Sequence, residues 1–294
     1  MNLGEQTMEI SGKTRLICLL GHPVAHSISP MMHNLAFKEN NLDYCYMAYD
    51  LKEDQIKEAV DSLKLFDARG FNLTMPFKQS VIPYLDELSQ KAKLCNSVNT
   101  VVNENGRLIG YTTDGYGFME SLRFNDIKIK DSNFTVLGGG GAATAIITEA
   151  AFDGANSITV FKRKNATFKK LVNFAENVSK ASGCNIKVCD MADSILLKDS
   201  LLDSQVLINA TNVGMGDDDT SLVPKEFLYK ELIVTDVIYH PSATRLLKDA
   251  KEVGCKTMNG KLMLLYQGAA AFKKWTNTDM PVDLIRERYF MEEI

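Results

Sequence analysis

The 294-residue sequence predicts an α/β fold in two domains, an N-terminal α/β domain and a second built on a parallel sheet with helices packed against it. Three observations carry that expectation. Short apolar runs of strand length alternate with one-faced amphipathic segments; a hairpin signal at Asn105-Gly106 interrupts the alternation; and the alternation restarts at Asn133. Repeated strand-helix units imply parallel pairing with helices on both faces, because a parallel strand can follow another only through a crossover.

Residues 1–13 are polar and aperiodic and read as a loosely held arm. Arg15–Leu20 is an apolar run ended by Gly21, and Asp43–Tyr49 is rich in aromatics; both read as strands, with a helix opening near Ser29 between them. Lys52–Phe66 reads as a helix, since Ile56, Ala59, Val60 and Leu63 fall on one face. A strand at Gly70–Leu73 and a helical Asp86–Leu94 follow. Val98–Val102 and Leu108–Thr112 flank Asn105-Gly106, a dipeptide suited to a two-residue hairpin turn. The second series opens with a strand at Asn133–Leu137, a Gly-rich turn and a helix to about Phe152. Strands are then expected at Ser157–Phe161, Ile186–Val188, Val206–Asn209 and Leu232–Asp236, with helices between them, and Gly260–Phe290 reads as almost all helical. The boundary is placed near Asp114–Gly117. One domain would hold residues 1–114 completed by helices 260–294, the other residues 115–259, with a cleft between them.

Thirty-three Lys and Arg stand against 37 Asp and Glu, a net charge of −4, so there is no electrostatic footprint for nucleic acid or anionic lipid. No run approaches the ~18 apolar residues of a membrane span; the longest weakly polar run, Val136 to Phe152, contains Thr144, Thr148 and Glu149. The N-terminus has no apolar signal region, and the six cysteines form no CxxC pair, so a cytoplasmic protein with free thiols is expected.

Chemistry concentrates in a few segments. Gly138-Gly139-Gly140-Gly141-Ala142-Ala143 fits G-x-G-x-x-A between a β-branched strand and a helix, where free N–H groups can meet a pyrophosphate. The alternative is a flexible loop without a ligand. The next strand ends at Lys162-Arg163-Lys164 with no carboxylate to accept a ribose 2′-OH, which favours NADP; a solvated basic helix start is the competing reading. Gly21 to Asn34 gathers His22, His26, Ser27, Ser29 and His33. A metal site there lacks acidic or cysteine ligands, and Pro23 keeps His22 and His26 off one regular helix. Ser27 and Ser29 before Pro30 form a carboxylate-sized pocket, with helix capping by Ser29 as the plain alternative. Lys78, just beyond Pro76, is a candidate acid/base or an ordinary surface lysine; Asp114 is a candidate partner or a helix N-cap.

Together these segments resemble the shikimate dehydrogenase family from Leu16 to Phe272 and in the same order. The paired-serine motif stands at Gly21 to Asn34, N-x-T-x-P-x-K at Asn72 to Lys78, V-N-T at Val98-Asn99-Thr100 and T-D-G at Thr113-Asp114-Gly115. The Gly-rich loop, Tyr239 to Pro241 and Gln267 complete the set. The resemblance implies an NAD(P)-dependent oxidoreductase that interconverts 3-dehydroshikimate and shikimate by hydride transfer at C3, in aromatic amino acid biosynthesis. It implies a substrate-binding and catalytic domain at 1–114 with 260–294, and a Rossmann NAD(P)-binding domain at 115–259. Ser27 and Ser29 would hold the substrate carboxylate, and Thr74, Asn99, Asp114, Tyr239 and Gln267 its hydroxyls. Lys78 and Asp114 would be the acid/base pair. The cofactor would lie on Gly138, Gly139, Gly140, Gly141, Ala142, Lys162, Arg163, Lys164, Val237 and Gly260, and no metal is implied.

Thr112 stands where the biosynthetic branch usually has Asn, and Lys162-Arg163-Lys164 where it usually reads N-R-T. Both resemble the quinate/shikimate branch, which makes quinate and NAD the alternative substrate and cofactor; Asn165 stands where that branch often has Asp. A non-enzymatic nucleotide-binding sensor on the same scaffold is a third reading. The expected partners are the small-molecule substrate, no nucleic acid and no membrane, with a homodimer left open.

Overall fold

The computed structural model describes residues 10–291; most of the arm expected at 1–13 and the last residues of the C-terminal segment lie outside them. The elements in chain order are β1 (Arg15–Gly21), α1 (Ser29–Glu39), β2 (Tyr44–Asp50), α2 (Ile56–Leu65), β3 (Gly70–Leu73), α3 (Phe77–Ser80), β4 (Glu87–Leu88), α4 (Gln90–Cys95), β5 (Thr100–Glu104) and β6 (Arg107–Tyr111). Then follow α5 (Asp114–Phe124), β7 (Asn133–Leu137), α6 (Gly141–Phe152), β8 (Ser157–Lys162), α7 (Phe168–Ser182), β9 (Asn185–Asp190), α8 (Ser194–Asp203) and β10 (Val206–Asn209). The last are β11 (Ile233–Asp236), α9 (Arg245–Val253), β12 (Lys256–Met258), α10 (Lys261–Thr276) and α11 (Val282–Tyr289).

The chain forms two compact units. The first comprises the described residues up to Ser89, Ser97–Tyr111 and those from Gly268 onward; the second comprises Gln90–Asn96 and Thr112–Gln267. None of the described helices is long and apolar enough to cross a membrane.

The first unit carries a mixed six-stranded sheet in the order β2-β1-β3-β5-β6-β4. β1 pairs parallel with β2 and β3, whereas β5 pairs antiparallel with both β3 and β6. The hairpin turns at Asn105 (φ 55°) and Gly106 (φ 87°), both left-handed, as the dipeptide predicts. The expected helix over Asp86–Leu94 is only half present. Its first residues pair with the β6 edge, with the Asp86 amide donating to Leu108 and the Ser89 amide to Gly110, and only Gln90–Cys95 are helical. Gly110 makes this possible: a Cβ there would lie 2.7 Å from Leu85 and 2.8 Å from Leu88, side chains that occupy its place.

The core of this unit is closed by the C-terminal helices. Trp275 is buried, and its indole N–H donates to the Val101 carbonyl at 2.9 Å. Gly70 is glycine because a Cβ would fall 2.5 Å from that indole nitrogen. Arg69 donates to the Trp275 carbonyl at 2.7 Å and to the Asn103 carbonyl at 2.6 Å, tying strand and helix together.

The second unit is a parallel six-stranded sheet ordered β12-β11-β10-β7-β8-β9. Relabelled from β7 as the first strand, this is the 3-2-1-4-5-6 order of a dinucleotide-binding fold, with its switch point between β7 and β10. β12 escapes notice in the sequence because only three residues, Lys256–Met258, pair with β11. Helix α5 packs against α6 at Gly115, where a Cβ would sit 2.2 Å from the Ala145 carbonyl oxygen.

Candidate active site

In the first unit the candidate residues collect at the C-terminal ends of β1 and β3. The loop after β1 begins with His22, whose Nδ1 lies 2.5 Å from Asp50 Oδ1, and the Val24 amide donates to the other Asp50 oxygen at 3.3 Å. These contacts hold Asp50 below the usual carboxylate range and anchor the loop to the end of β2. The Ser27 amide donates to the Val24 carbonyl, and the Ser29 amide to Ser27 Oγ at 3.3 Å. Ser29 is the first residue of α1 and Ile28 holds the N-cap position before it, so the helix does not use Ser29 as its N-cap.

Thr74 sits against the same loop. Its amide donates to Leu20, and a Cβ on Gly21 would meet its methyl at 2.1 Å. Four residues on, Lys78 rides on α3, a single turn anchored by fully buried Phe77. The Lys78 carbonyl accepts from the Val98 amide at 2.8 Å, which joins the lysine turn to the segment carrying Asn99. Asn99 is buried, with its carbonyl accepting from the Leu73 amide and the Asn72 side chain, each at 2.9 Å. Ser27, Ser29, Thr74, Lys78 and Asn99 are thus brought together within one unit. The three histidines are not: His22 and His26 are exposed, whereas His33 is fully buried.

Two further residues of this neighbourhood went unassigned in the sequence reading, Tyr46 and Asn72. Tyr46 donates from its phenol to Asn72 Oδ1 at 2.7 Å. Burial raises the phenol well above its usual pKa, and a hydrogen bond from the Ser29 side chain partly offsets this. The available signal was the asparagine that opens N-x-T-x-P-x-K, a polar side chain in an otherwise apolar strand.

In the second unit the glycine loop joins β7 to α6. Gly138 has φ 109°, and a Cβ there would lie 2.6 Å from the Ala210 carbonyl oxygen; Gly139 faces Leu171 and the Lys162 stem, with Lys162 Cδ at 3.1 Å. Gly140 differs, since a Cβ would meet no protein atom within 4 Å. Gly140 is also the N-cap of α6, with no side chain spending the first-turn amides, and Gly141 and Ala142 open the helix. Lys162 ends β8 beside this loop, and Arg163 and Lys164 are exposed, Lys164 lying 3.7 Å from Asp190. Asn165 is occupied as a turn residue: its Oδ1 accepts from the Thr167 amide at 3.1 Å and hydroxyl at 2.9 Å, leading into α7.

Val237 and Gly260 touch backbone to backbone, for a Cβ on Gly260 would lie 2.0 Å from the Val237 carbonyl oxygen. Tyr239 follows in the same loop and is exposed. Asp236, at the end of β11, is buried and accepts from Asn209 at 3.0 Å, Thr244 at 2.8 Å and the Ile238 amide at 2.9 Å. Desolvation pushes its pKa up to about 6 despite these donors. Asp114 is the buried first residue of α5, and one turn later Gly117 would place a Cβ 2.5 Å from the Gln267 amide nitrogen. Asp114 and Gln267 therefore lie on two helices in backbone contact.

Comparison with known proteins decides the family. The description "Shikimate dehydrogenase substrate binding domain" matches residues 19–101, and "Shikimate 5'-dehydrogenase C-terminal domain" matches residues 262–288. The shikimate dehydrogenase (NADP(+)) of Alkaliphilus metalliredigens is 45% identical over 284 residues, covering 95% of this chain and 97% of that protein. The chain belongs to the shikimate dehydrogenase family.

A shikimate 5-dehydrogenase from Listeria monocytogenes, solved in complex with shikimate and NAD, superposes with a TM-score of 0.92 at 42% identity over 97% of this chain and 99% of that one. The Thermus thermophilus enzyme, solved with NADP(H) and shikimate, gives a TM-score of 0.81 at 33% identity over 93% and 97%. The region matched by the substrate-binding description, 19–101, includes Ser27, Ser29, Thr74, Lys78 and Asn99.

Proposed function

We propose that the protein interconverts shikimate and 3-dehydroshikimate with NADP, the reaction that its relatives' names describe. What supports this reading most is one constellation: two serines, Thr74, Lys78 and Asn99 meeting at the strand ends of the first unit. Its companion is a second unit with dinucleotide-fold strand order. The loop there fits a nucleotide, because the space over Gly140 is open and the first-turn amides of α6 are not capped by a side chain. NADP supplies or accepts the hydride when bound.

The chain's own residues do the rest. Ser27 donates a hydrogen bond to the substrate carboxylate, and Ser29 donates a second once its hydroxyl turns from the Tyr46 phenol to the substrate, while Thr74, Asn99, Asp114, Tyr239 and Gln267 hold its hydroxyls. In the reductive direction Lys78 donates a proton to the C3 oxygen as negative charge builds there; in the oxidative direction the pair of Lys78 and Asp114 takes the C3 hydroxyl proton. Gly138 to Ala142 seat the pyrophosphate with Val237 and Gly260 nearby, and Lys162, Arg163 and Lys164 meet the 2′-phosphate through charge-assisted contacts that NAD cannot offer.

The test is an assay of the purified chain with shikimate and with quinate, each with NADP and with NAD. Shikimate-dependent NADP reduction is expected, and its absence between neutral and alkaline pH sinks the reading. A higher kcat/KM with NAD would sink the cofactor assignment alone. Lys78→Ala should lower kcat by roughly 100-fold or more with KM within a few-fold, since acid/base help is realised in the transition state. The same proposal includes a cytoplasmic location, supported by six cysteines that are all free.

A further inference from the structure

His33 and Asn34 close the paired-serine motif, yet no substrate role falls to either. Both are spent on a single residue of β2. The His33 ring stacks on Tyr46 with centroids 4.5 Å apart and planes 18° from parallel. Phe37, Phe272 and Trp275 complete the box around it. Neither His33 ring nitrogen has a hydrogen-bond partner. Asn34 clamps the Tyr46 backbone in both directions, donating to its carbonyl at 2.9 Å and accepting from its amide at 2.8 Å.

From Tyr46 a one-way chain of donors runs through the sheet. The phenol donates to Asn72 Oδ1 at 2.7 Å, Asn72 Nδ2 donates to Thr100 Oγ1 at 3.1 Å, and the Thr100 hydroxyl donates to Asn99 Oδ1 at 3.2 Å. Asn72 also donates to the Asn99 carbonyl at 2.9 Å. We propose that Tyr46 is a positioning residue for the substrate site, its phenol orienting the Asn99 carboxamide through Asn72 and Thr100. The final torsion of an asparagine is broad and nearly two-fold, so the amide points one way only when neighbours hold it. Tyr46, Asn72, Thr100 and Asn99 are all buried, where each donor polarises the next and one lost donor leaves its acceptor unsatisfied. This proposal rests on the reading of Asn99 as a ligand of the substrate hydroxyls.

Tyr46→Phe keeps the stacked ring and removes only the hydroxyl. In the full-length enzyme, KM for shikimate should rise about five- to tenfold, the factor for one neutral hydrogen bond, with kcat within about twofold and KM for NADP unchanged. A folded variant with a lowered melting temperature but unchanged KM would make Tyr46 a packing residue and overturn the proposal. Thr100→Val breaks the same chain away from Ser29, which also bonds the Tyr46 phenol, and should raise KM likewise; a raised KM in Tyr46→Phe with an unchanged KM in Thr100→Val would assign the effect to Ser29 and overturn the proposal. Should Tyr46→Phe not fold, an unchanged KM in Thr100→Val overturns the proposal on its own. Asn99→Ala with unaltered KM would instead refute the underlying ligand assignment.

Discussion

Burial removes water from His33 on every side, and its pKa falls from 6.5 to about 3. The sign of the consequence follows from proton binding. Between those values the unfolded chain takes up a proton that the folded chain refuses, so the stability due to neutral His33 is present above pH 6.5 and lost as pH falls toward 3. Asp236 runs the other way. Its folded pKa is raised from 3.8 to about 6, so its contribution is present below 3.8 and lost as pH rises through 6. His33→Phe should therefore flatten the acid limb of unfolding free energy against pH by up to roughly 5 kcal/mol, and Asp236→Asn should steepen it by up to roughly 3 kcal/mol. Urea unfolding at pH 4.5, 5.5 and 7 checks both, and parallel curves for wild type and variant would refute the corresponding shift. Neither effect could be read from the sequence. Three histidines within twelve residues look alike on paper, and only the fold sends His22 to Asp50 at the surface and His33 into an aromatic box.

At the scale of elements, the glycine loop was the most legible feature, because strand, turn and helix each leave their own mark in sequence. What could not be read was which glycine serves packing and which serves a ligand. Gly138 combines φ 109° with a carbonyl 2.6 Å from any Cβ, so Gly138→Ala should destabilise the protein by about 2 kcal/mol or more. Gly140 has φ −83° and open space, so Gly140→Ala should leave the melting temperature unchanged and raise KM for NADP about tenfold or more. An unchanged KM would mean that the loop does not seat the pyrophosphate. Arg163→Ala should raise KM for NADP far more than KM for NAD, with the difference shrinking at high salt because the site is exposed. The short pieces β4 and β12 were illegible for a physical reason. Strands of two or three residues show no period, and pairing with a neighbour rather than local preference creates them.

At the scale of the whole chain, the parallel second sheet followed from the alternation of runs, whereas the antiparallel seating of β5 against β3 and the long-range closure of the first unit did not. Nothing local announces that Trp275 must meet Gly70 and Val101, some two hundred residues earlier. Trp275→Ala should cost roughly 3–5 kcal/mol from the cavity, more if the Val101 carbonyl stays dry, and denaturant unfolding measures it. A loss under 1 kcal/mol would show that the C-terminal helices do not close this core. The same closure bears on how the protein is born. A ribosome delivers β1 to β6 early, yet the helix that covers them begins its part at Gly268, after the whole intervening unit has been made. At 5–20 residues per second that is a wait of roughly 8–30 s, during which the nascent first sheet shows the face that Trp275 will later cover. The half of the molecule synthesised first is the half completed last, and throughout that interval it is the part a chaperone would have to shield.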